Sequence, residues 1–175
     1  MDALVQFKIP VSGLKDGLHP FDFQLDNSFF ECFEASPIKE GKVEVKVIFD
    51  KRPDMFVLIF DIKGKVKTTC DRCLDEFILP IQSSESLMFK FAAEEREEAD
   101  IVYILKGKTS LNIANYIYDY VNLSMPMIKT HDDADEACNS EITDYLNNQN
   151  QEEETETESD KNPIWDALKN FKETD

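Results

Sequence analysis

Two cysteines separated by two residues, Cys70 and Cys73, have the clearest capacity for chemistry in this chain. A C-x-x-C turn brings two sulfur atoms close enough to share one metal ion or one disulfide. Of the two other cysteines, Cys138 lies in a polar loop that also holds His131, with six residues between them. A structural zinc site needs four such ligands in a tetrahedron. The sequence therefore predicts a zinc site formed by Cys70, Cys73, His131 and Cys138.

Other interpretations of the C-x-x-C stay open. Three carboxylates beside His131 could supply an oxygen ligand in its place: Asp132, Asp133 and Asp135. The cysteines could equally remain reduced thiols without a metal. A thioredoxin-like redox role would require the C-x-x-C to open a helix, which lowers the pKa of the first thiol. The segment 74–80 looks like a strand and the motif has acidic neighbours, so a redox role is the least favoured interpretation.

A row of lysines leads into the C-x-x-C. Lys63, Lys65 and Lys67 recur with a period of two, so on a strand all three project from one face, and Arg72 lies close beyond them. Such a stripe could bind a nucleic-acid backbone through its phosphates. The alternatives are an ordinary solvated face, or lysines that protect an edge strand from aggregation. The sequence contains no recognisable RNA-reading motif and no glycine-rich phosphate loop.

Composition describes a folded, strongly acidic protein. The chain has 175 residues, of which 42% are hydrophobic, with 13 Phe and four cysteines. This is room for one domain with a core, and we expect a reducing, cytoplasmic compartment because no secretory signal or membrane-spanning run is visible. The net charge is −17, and it resides mainly in the second half of the chain. That half should repel nucleic acid and attract basic proteins.

The elements that must position these residues are mostly strands. We expect strands over 3–9, 21–25 and 43–49, then an apolar run from 55 that continues to the C-x-x-C. Segments 74–81 and 87–91 would return antiparallel, with a break at Pro80, and 101–105 would add a further strand. One main helix should begin at Ser110 or Asn112 and end near Asn122. The predicted fold is α+β with a largely antiparallel sheet, either open or closed like a barrel. Cys32 should be a buried core thiol.

The chain divides into three regions. An α+β domain should span 1–148, and an acidic, low-complexity linker over 149–161 should be disordered. The segment 162–175 begins with Asn-Pro and is typical of a short capped helix. Its apolar side chains fall on one face and should dock, either on the chain's own domain or on a partner: Trp165, Leu168 and Phe171.

The order of these features resembles the bacterial YceD family. The resemblance rests on a T-x-C-x-R-C-L run, a Leu-Ser-Met-Pro after the main helix, a later cysteine and an N-P-x-W-x-x-L tail. These are Thr68, Cys70, Arg72, Cys73 and Leu74, then Leu123 to Pro126, then Cys138, then Asn162, Pro163, Trp165 and Leu168. The family implies a role in accumulation or processing of large-subunit ribosomal RNA, without a demonstrated catalytic activity. Many members carry a second C-x-x-C after the helix, where this chain has His131 and Cys138.

The sequence thus predicts a non-enzymatic factor in biogenesis of the large ribosomal subunit. Its partner would be ribosomal RNA, through the Lys63 to Arg72 face, or basic ribosomal proteins. No membrane and no small-molecule substrate are expected. The sequence contains no G-x-S-x-G, P-loop or H-E-x-x-H motif that would favour an enzyme. The open alternatives are an acidic interaction module or chaperone unrelated to ribosomes, and a thiol redox protein.

Overall fold

The structure is a computed structural model that describes residues 3–34, 36–38, 40–98 and 100–145. The predicted linker over 149–161 and the predicted docking helix with Trp165, Leu168 and Phe171 lie outside these ranges. Within them, no helix combines the length and apolarity needed to cross a bilayer.

A six-stranded sheet forms the framework of the domain. Its spatial order is β2-β3-β4-β5-β7-β6, and all neighbours are antiparallel except β5 and β7, which are parallel. The strands are β2 (Gly17–Leu25), β3 (Gly41–Lys51), β4 (Met55–Thr69), β5 (Glu76–Ala92), β6 (Arg96–Glu98) and β7 (Ile101–Leu105). The sheet is open, with β2 and β6 at its edges, so the α+β prediction is confirmed and closure into a barrel does not occur.

The remaining elements are short. A 3-10 helix (Ala3–Phe7) leads into β1 (Lys8–Ile9), which pairs with β8 (Leu111–Asn112) as a second, two-stranded sheet. The helices are α1 (Asn27–Phe30), α2 (Ala114–Leu123) and a second 3-10 helix (His131–Ala134), and helical residues follow at 140–145.

One face of the sheet is buried because apolar residues alternate with polar ones. On β4 the even-numbered residues from Phe56 to Ile62 point inward, as do alternate residues of β3 and β5. Helix α2 covers this face, with Ile117 and Val121 fully buried. Its aromatic residues also pack on the sheet, and the Tyr120 ring lies 5.1 Å from the Phe60 ring.

Glycine is required at one point of this sheet. A Cβ on Gly64 would lie 2.4 Å from the backbone oxygen of Lys42 and 2.6 Å from the Cα of Val43. Strands β3 and β4 therefore approach each other closely, just before the lysine row ends and the C-x-x-C begins.

Three sequence predictions were wrong in detail. The opening segment is mainly a 3-10 helix and not a strand. Pro80 does not break β5. Strand β7 pairs only with Met88–Ala92, so β5 has an open edge at Pro80, and the N–H that proline lacks can face this edge. Cys32 is exposed and not buried, since α1 ends at Phe30 and turns its two phenylalanines toward the core instead.

Candidate metal centre

The first half of the centre is the turn between β4 and β5. The backbone N–H of Cys70 donates to the Asp75 oxygen (2.9 Å), and that of Leu74 donates to the Cys70 oxygen (3.0 Å). Leu74 closes the turn in the left-handed region, with φ 64°. These contacts hold both cysteines inward, so Cys70 and Cys73 are buried although the turn lies at the end of the sheet.

The second half is the short 3-10 helix that begins at His131. Its start is fixed by a capping box, in which the Thr130 side chain accepts a hydrogen bond from the Asp133 backbone N–H and the Asp133 carboxylate accepts one from the Thr130 backbone N–H. Its end turns back at Asp135, with φ 57°, and the Glu136 N–H donates to the His131 oxygen (2.9 Å). This compact turn closes the long spacing between His131 and Cys138.

A backbone clamp joins the two halves. The Asp71 N–H donates to the Lys129 oxygen (2.7 Å), and the Lys129 N–H donates to the Asp71 carboxylate (2.7 Å). The Arg72 guanidinium donates to the Asp132 carboxylate across the same junction (2.8 Å). The His131 ring is buried beside Phe77 of β5, with ring centroids 4.7 Å apart. The clamp therefore holds two segments together that are almost sixty residues apart in sequence.

The four predicted ligands converge. One ligand atom from each of Cys70, Cys73, His131 and Cys138 lies within 4.8 Å of the other three. The Sγ atoms of Cys70 and Cys138 are 3.7 Å apart. The His131 Nδ1 atom lies 3.4 Å from the Cys73 Sγ and 3.6 Å from the Cys138 Sγ.

These separations fit the geometry of a zinc ion. With Zn–S bonds of about 2.3 Å and Zn–N bonds of about 2.0–2.1 Å, a tetrahedron places two sulfurs about 3.8 Å apart and a sulfur and a nitrogen about 3.5 Å apart. The three distances given above agree with these values to about 0.1 Å, and the other three pairs of ligand atoms lie within 4.8 Å. Three soft sulfurs and one imidazole are also a donor set that suits zinc.

The surroundings shift the pKa values of two of the clustered thiols in opposite directions. Burial disfavours the Cys70 thiolate, but backbone N–H groups of Cys73 and Arg72, with His131, outweigh it and lower the Cys70 pKa to about 6. Burial raises the pKa of Cys138, and its hydrogen bond with Cys70 acts in the same direction. The Arg72 Nη1 lies 3.8 Å from the Cys138 Sγ and supplies positive charge beside the sulfurs. A divalent cation would stabilise all three thiolates at once.

The carboxylates considered as alternative ligands are oriented differently. Asp132 binds Arg72, and Asp133 accepts hydrogen bonds from the Thr130 backbone and hydroxyl. None of Asp132, Asp133 and Asp135 belongs to the cluster of possible ligands found in the described part of the chain, whereas His131 does. The C-x-x-C also precedes strand β5 and not a helix, so the helix-based lowering of a redox-active thiol's pKa is missing at this turn.

The lysine row lies on the opposite, outer face of the sheet. Lys63 and Lys65 are exposed there, and Lys67 pairs with Glu76 (2.9 Å) and Glu40 (3.5 Å). Arg72 does not continue the row, because its guanidinium is directed at Asp132 and Cys138. A nucleic-acid role for Lys63, Lys65, Lys67 and Arg72 stays a prediction.

Sequence reasoning missed the residues that support the centre. The Asp71–Lys129 clamp and the Phe77 contact join segments distant in sequence, and neither has a local signature. The capping box did have one, because Thr-x-x-Asp at 130–133 is close to the S/T-x-x-E pattern that starts a helix. That signal could have placed His131 in the first turn of a helix.

Comparison with known proteins gives one match. Residues 58–172 match the family model described as "Large ribosomal RNA subunit accumulation protein YceD". No curated protein and no solved structure matches the chain.

Proposed function

Because the chain belongs to the YceD family of large ribosomal RNA subunit accumulation proteins, we propose that it is a non-enzymatic, cytoplasmic factor in large-subunit biogenesis that supports accumulation or processing of the ribosomal RNA. The family match carries this proposal. It begins within β4 and includes both halves of the metal centre.

The metal centre would serve this function as a structural zinc site. Cys70, Cys73, His131 and Cys138 supply four ligands, and a four-coordinate site leaves no open position for a substrate or an activated water. The zinc would join the turn between β4 and β5 to the segment after α2. A closed site of this kind supports a stabilising role and argues against metal-assisted catalysis.

Charge favours a protein partner at least as much as an RNA partner. The net charge of −17 reduces non-specific attraction to RNA. On the outer face of the sheet, Lys63 and Lys65 are exposed, but Lys63 lies opposite Glu44 and Lys67 is paired. Basic proteins of the large subunit are therefore candidate partners beside the ribosomal RNA itself.

Co-sedimentation tests the proposal. We expect the full-length chain to migrate with precursors of the large subunit in a sucrose gradient, and cells that lack it to accumulate less large-subunit ribosomal RNA relative to small-subunit RNA. The double variant K63Q/K65Q reports on the RNA face, because it removes two exposed positive charges without touching the centre. If the wild-type chain stays at the top of the gradient and RNA levels are unchanged, an acidic module unrelated to ribosomes becomes the better explanation.

A further inference from the structure

Three strongly exposed apolar side chains lie on the two segments that the clamp joins. Leu74 is 75% exposed, Met127 98% and Ile128 71%. Isolated exposed apolar residues are ordinary, and others of this protein lie singly in different elements. Three such residues on two segments joined by one clamp are a different case, since grouped exposed apolar residues mark interaction sites. We name Leu74, Met127 and Ile128 the knuckle surface.

The fold presents this surface rigidly. Leu74 occupies a left-handed backbone conformation (φ 64°) that a leucine rarely adopts, and the Leu74 N–H is bound to the Cys70 oxygen. Ile128 directly precedes Lys129, whose N–H and C=O are both bound to Asp71. Leu74 and Ile128 are therefore fixed on either side of the same clamp. A leucine here does not stabilise the fold, because its side chain is exposed and its backbone conformation is strained.

The surroundings of the knuckle surface are acidic. The two segments 70–76 and 127–141 contain eight Asp and Glu residues and two basic ones, Arg72 and Lys129. Both basic side chains are already paired, Arg72 with Asp132 and Lys129 with Asp71. Of the eight acidic residues, Asp132, Asp71 and Glu76 are likewise paired, and the other five carry the excess negative charge of the two segments. A phosphate backbone would be repelled there, whereas lysine and arginine side chains would be attracted.

We propose that the knuckle surface docks a basic protein segment that inserts apolar side chains between its own lysines or arginines. The proposal deepens the proposed function, on which it rests, by assigning the partner's chemistry and its place on the domain. Apolar contacts would supply the central binding energy, and the acidic rim would speed association and select against acidic partners. The zinc would act indirectly, by holding Leu74 and Ile128 in register.

The test uses the zinc-loaded full-length chain and two defined probes: large-subunit ribosomal proteins extracted free of RNA, and large-subunit ribosomal RNA extracted free of protein. We expect binding to the protein probe, weakened at least about tenfold in M127D/I128D. The control is Leu18→Asp, which places one acidic charge at a residue 69% exposed on β2, and the single variant Met127→Asp is its match in charge. Zinc content and melting temperature should be the same in all variants, because the altered side chains are on the surface.

Each other result overturns the proposal. Equal binding by wild type and M127D/I128D would exclude the surface, and binding of the RNA probe alone would exclude the partner class. Trp165 is the only tryptophan, so a shift of its emission in M127D/I128D without any probe would mean that the chain's own terminal segment covers the surface. Co-sedimentation with subunit precursors separates the two hypotheses: if M127D/I128D still co-sediments like wild type, the knuckle surface is wrong and the function stands. If wild type does not co-sediment, the function itself fails.

Discussion

The lysine face lies on strand β4 and the metal centre begins in the turn that follows it, yet the two regions depend on the rest of the chain in opposite ways. The lysine face, Lys63, Lys65 and Lys67, follows from the alternation of β4 alone. The centre begins directly after that strand, and its sulfurs find partners 68 residues away. One region is local and solvated, and the other is long-range and buried.

This difference predicts how each region contributes to stability. Exposed charges stay hydrated, so removing one changes the free energy of unfolding little. A buried ligand set acts as a unit, because the loss of one ligand leaves the other polar groups buried without their cation. Variants in the two regions should therefore differ clearly in their free energy of unfolding, even though the lysine face and the C-x-x-C lie within ten residues of each other in sequence.

The largest effect is expected at the centre. Cys73→Ser removes a buried sulfur, and we expect loss of stoichiometric zinc and a destabilisation of about 3 kcal/mol or more. Chelation of wild-type protein should lower the melting temperature to a similar extent. Metal analysis and thermal melting measure both.

Cys32→Ser is the matched control, since this cysteine is exposed and outside the cluster. It should keep one zinc and change stability by no more than about 0.5 kcal/mol. Equal metal content and equal melting temperatures for the two variants would show that the cluster is not a metal site and that the C-x-x-C acts through its thiols or not at all.

An intermediate effect is expected at Gly64, which lies between Lys63 and Lys65 in strand β4. A Cβ there meets the backbone of β3, which cannot move aside like a side chain, so Gly64→Ala should destabilise the domain by about 1–3 kcal/mol. The zinc content should not change, because the clash lies in the sheet. Gly13→Ala is the control, since a Cβ at Gly13 has no neighbour within 4 Å. Loss of zinc in Gly64→Ala would mean that the strand pairing and the centre are one cooperative unit.

The sequence predicts the local features of the fold and not the long-range ones. Alternation of apolar and polar residues predicted β3, and apolar runs predicted β4 and β7, because both patterns are local properties of the sequence. It did not predict that β5 would run through Pro80, since that depends on which edge of β5 lacks a neighbour. Nor did it predict the parallel pairing of β5 with β7, which the short strand β6 makes possible by folding back on β7.

For the candidate site, the residue types indicated the ligands, whereas the packing contacts around them could not be predicted from the sequence. Cysteine and histidine are scarce enough that the ligand set could be chosen from four cysteines and two histidines. The choice of His131 over its aspartate neighbours depended on contacts invisible in sequence, since Asp132 and Asp133 are occupied by Arg72 and Thr130. Cys32 was misjudged because its aromatic neighbours, and not its own side chain, face the core.

The smallest effect is expected on the lysine face and depends on pH. The pKa of Lys67 is raised, first by its hydrogen bond to Glu76 and then by the charge of Glu40. A raised folded-state pKa gives stability that is fully present below the unfolded-state value of about 10.4 and is lost as pH rises through the folded-state pKa. Lys67→Gln should therefore melt slightly below wild type at pH 8, by a few degrees at most, and the difference should vanish at strongly alkaline pH.

Lys63→Gln separates this ion pair from the general effect of charge removal. Among the described residues, Lys63 has no ion pair within 4.0 Å, so its variant should melt like wild type at both pH values. Because Glu76 opens β5 immediately after the cysteine turn, the Lys67–Glu76 pair is also where the two regions touch. A loss of zinc in Lys67→Gln would show that the lysine face supports the centre. The lysine face would then not be independent of the centre where the two regions meet.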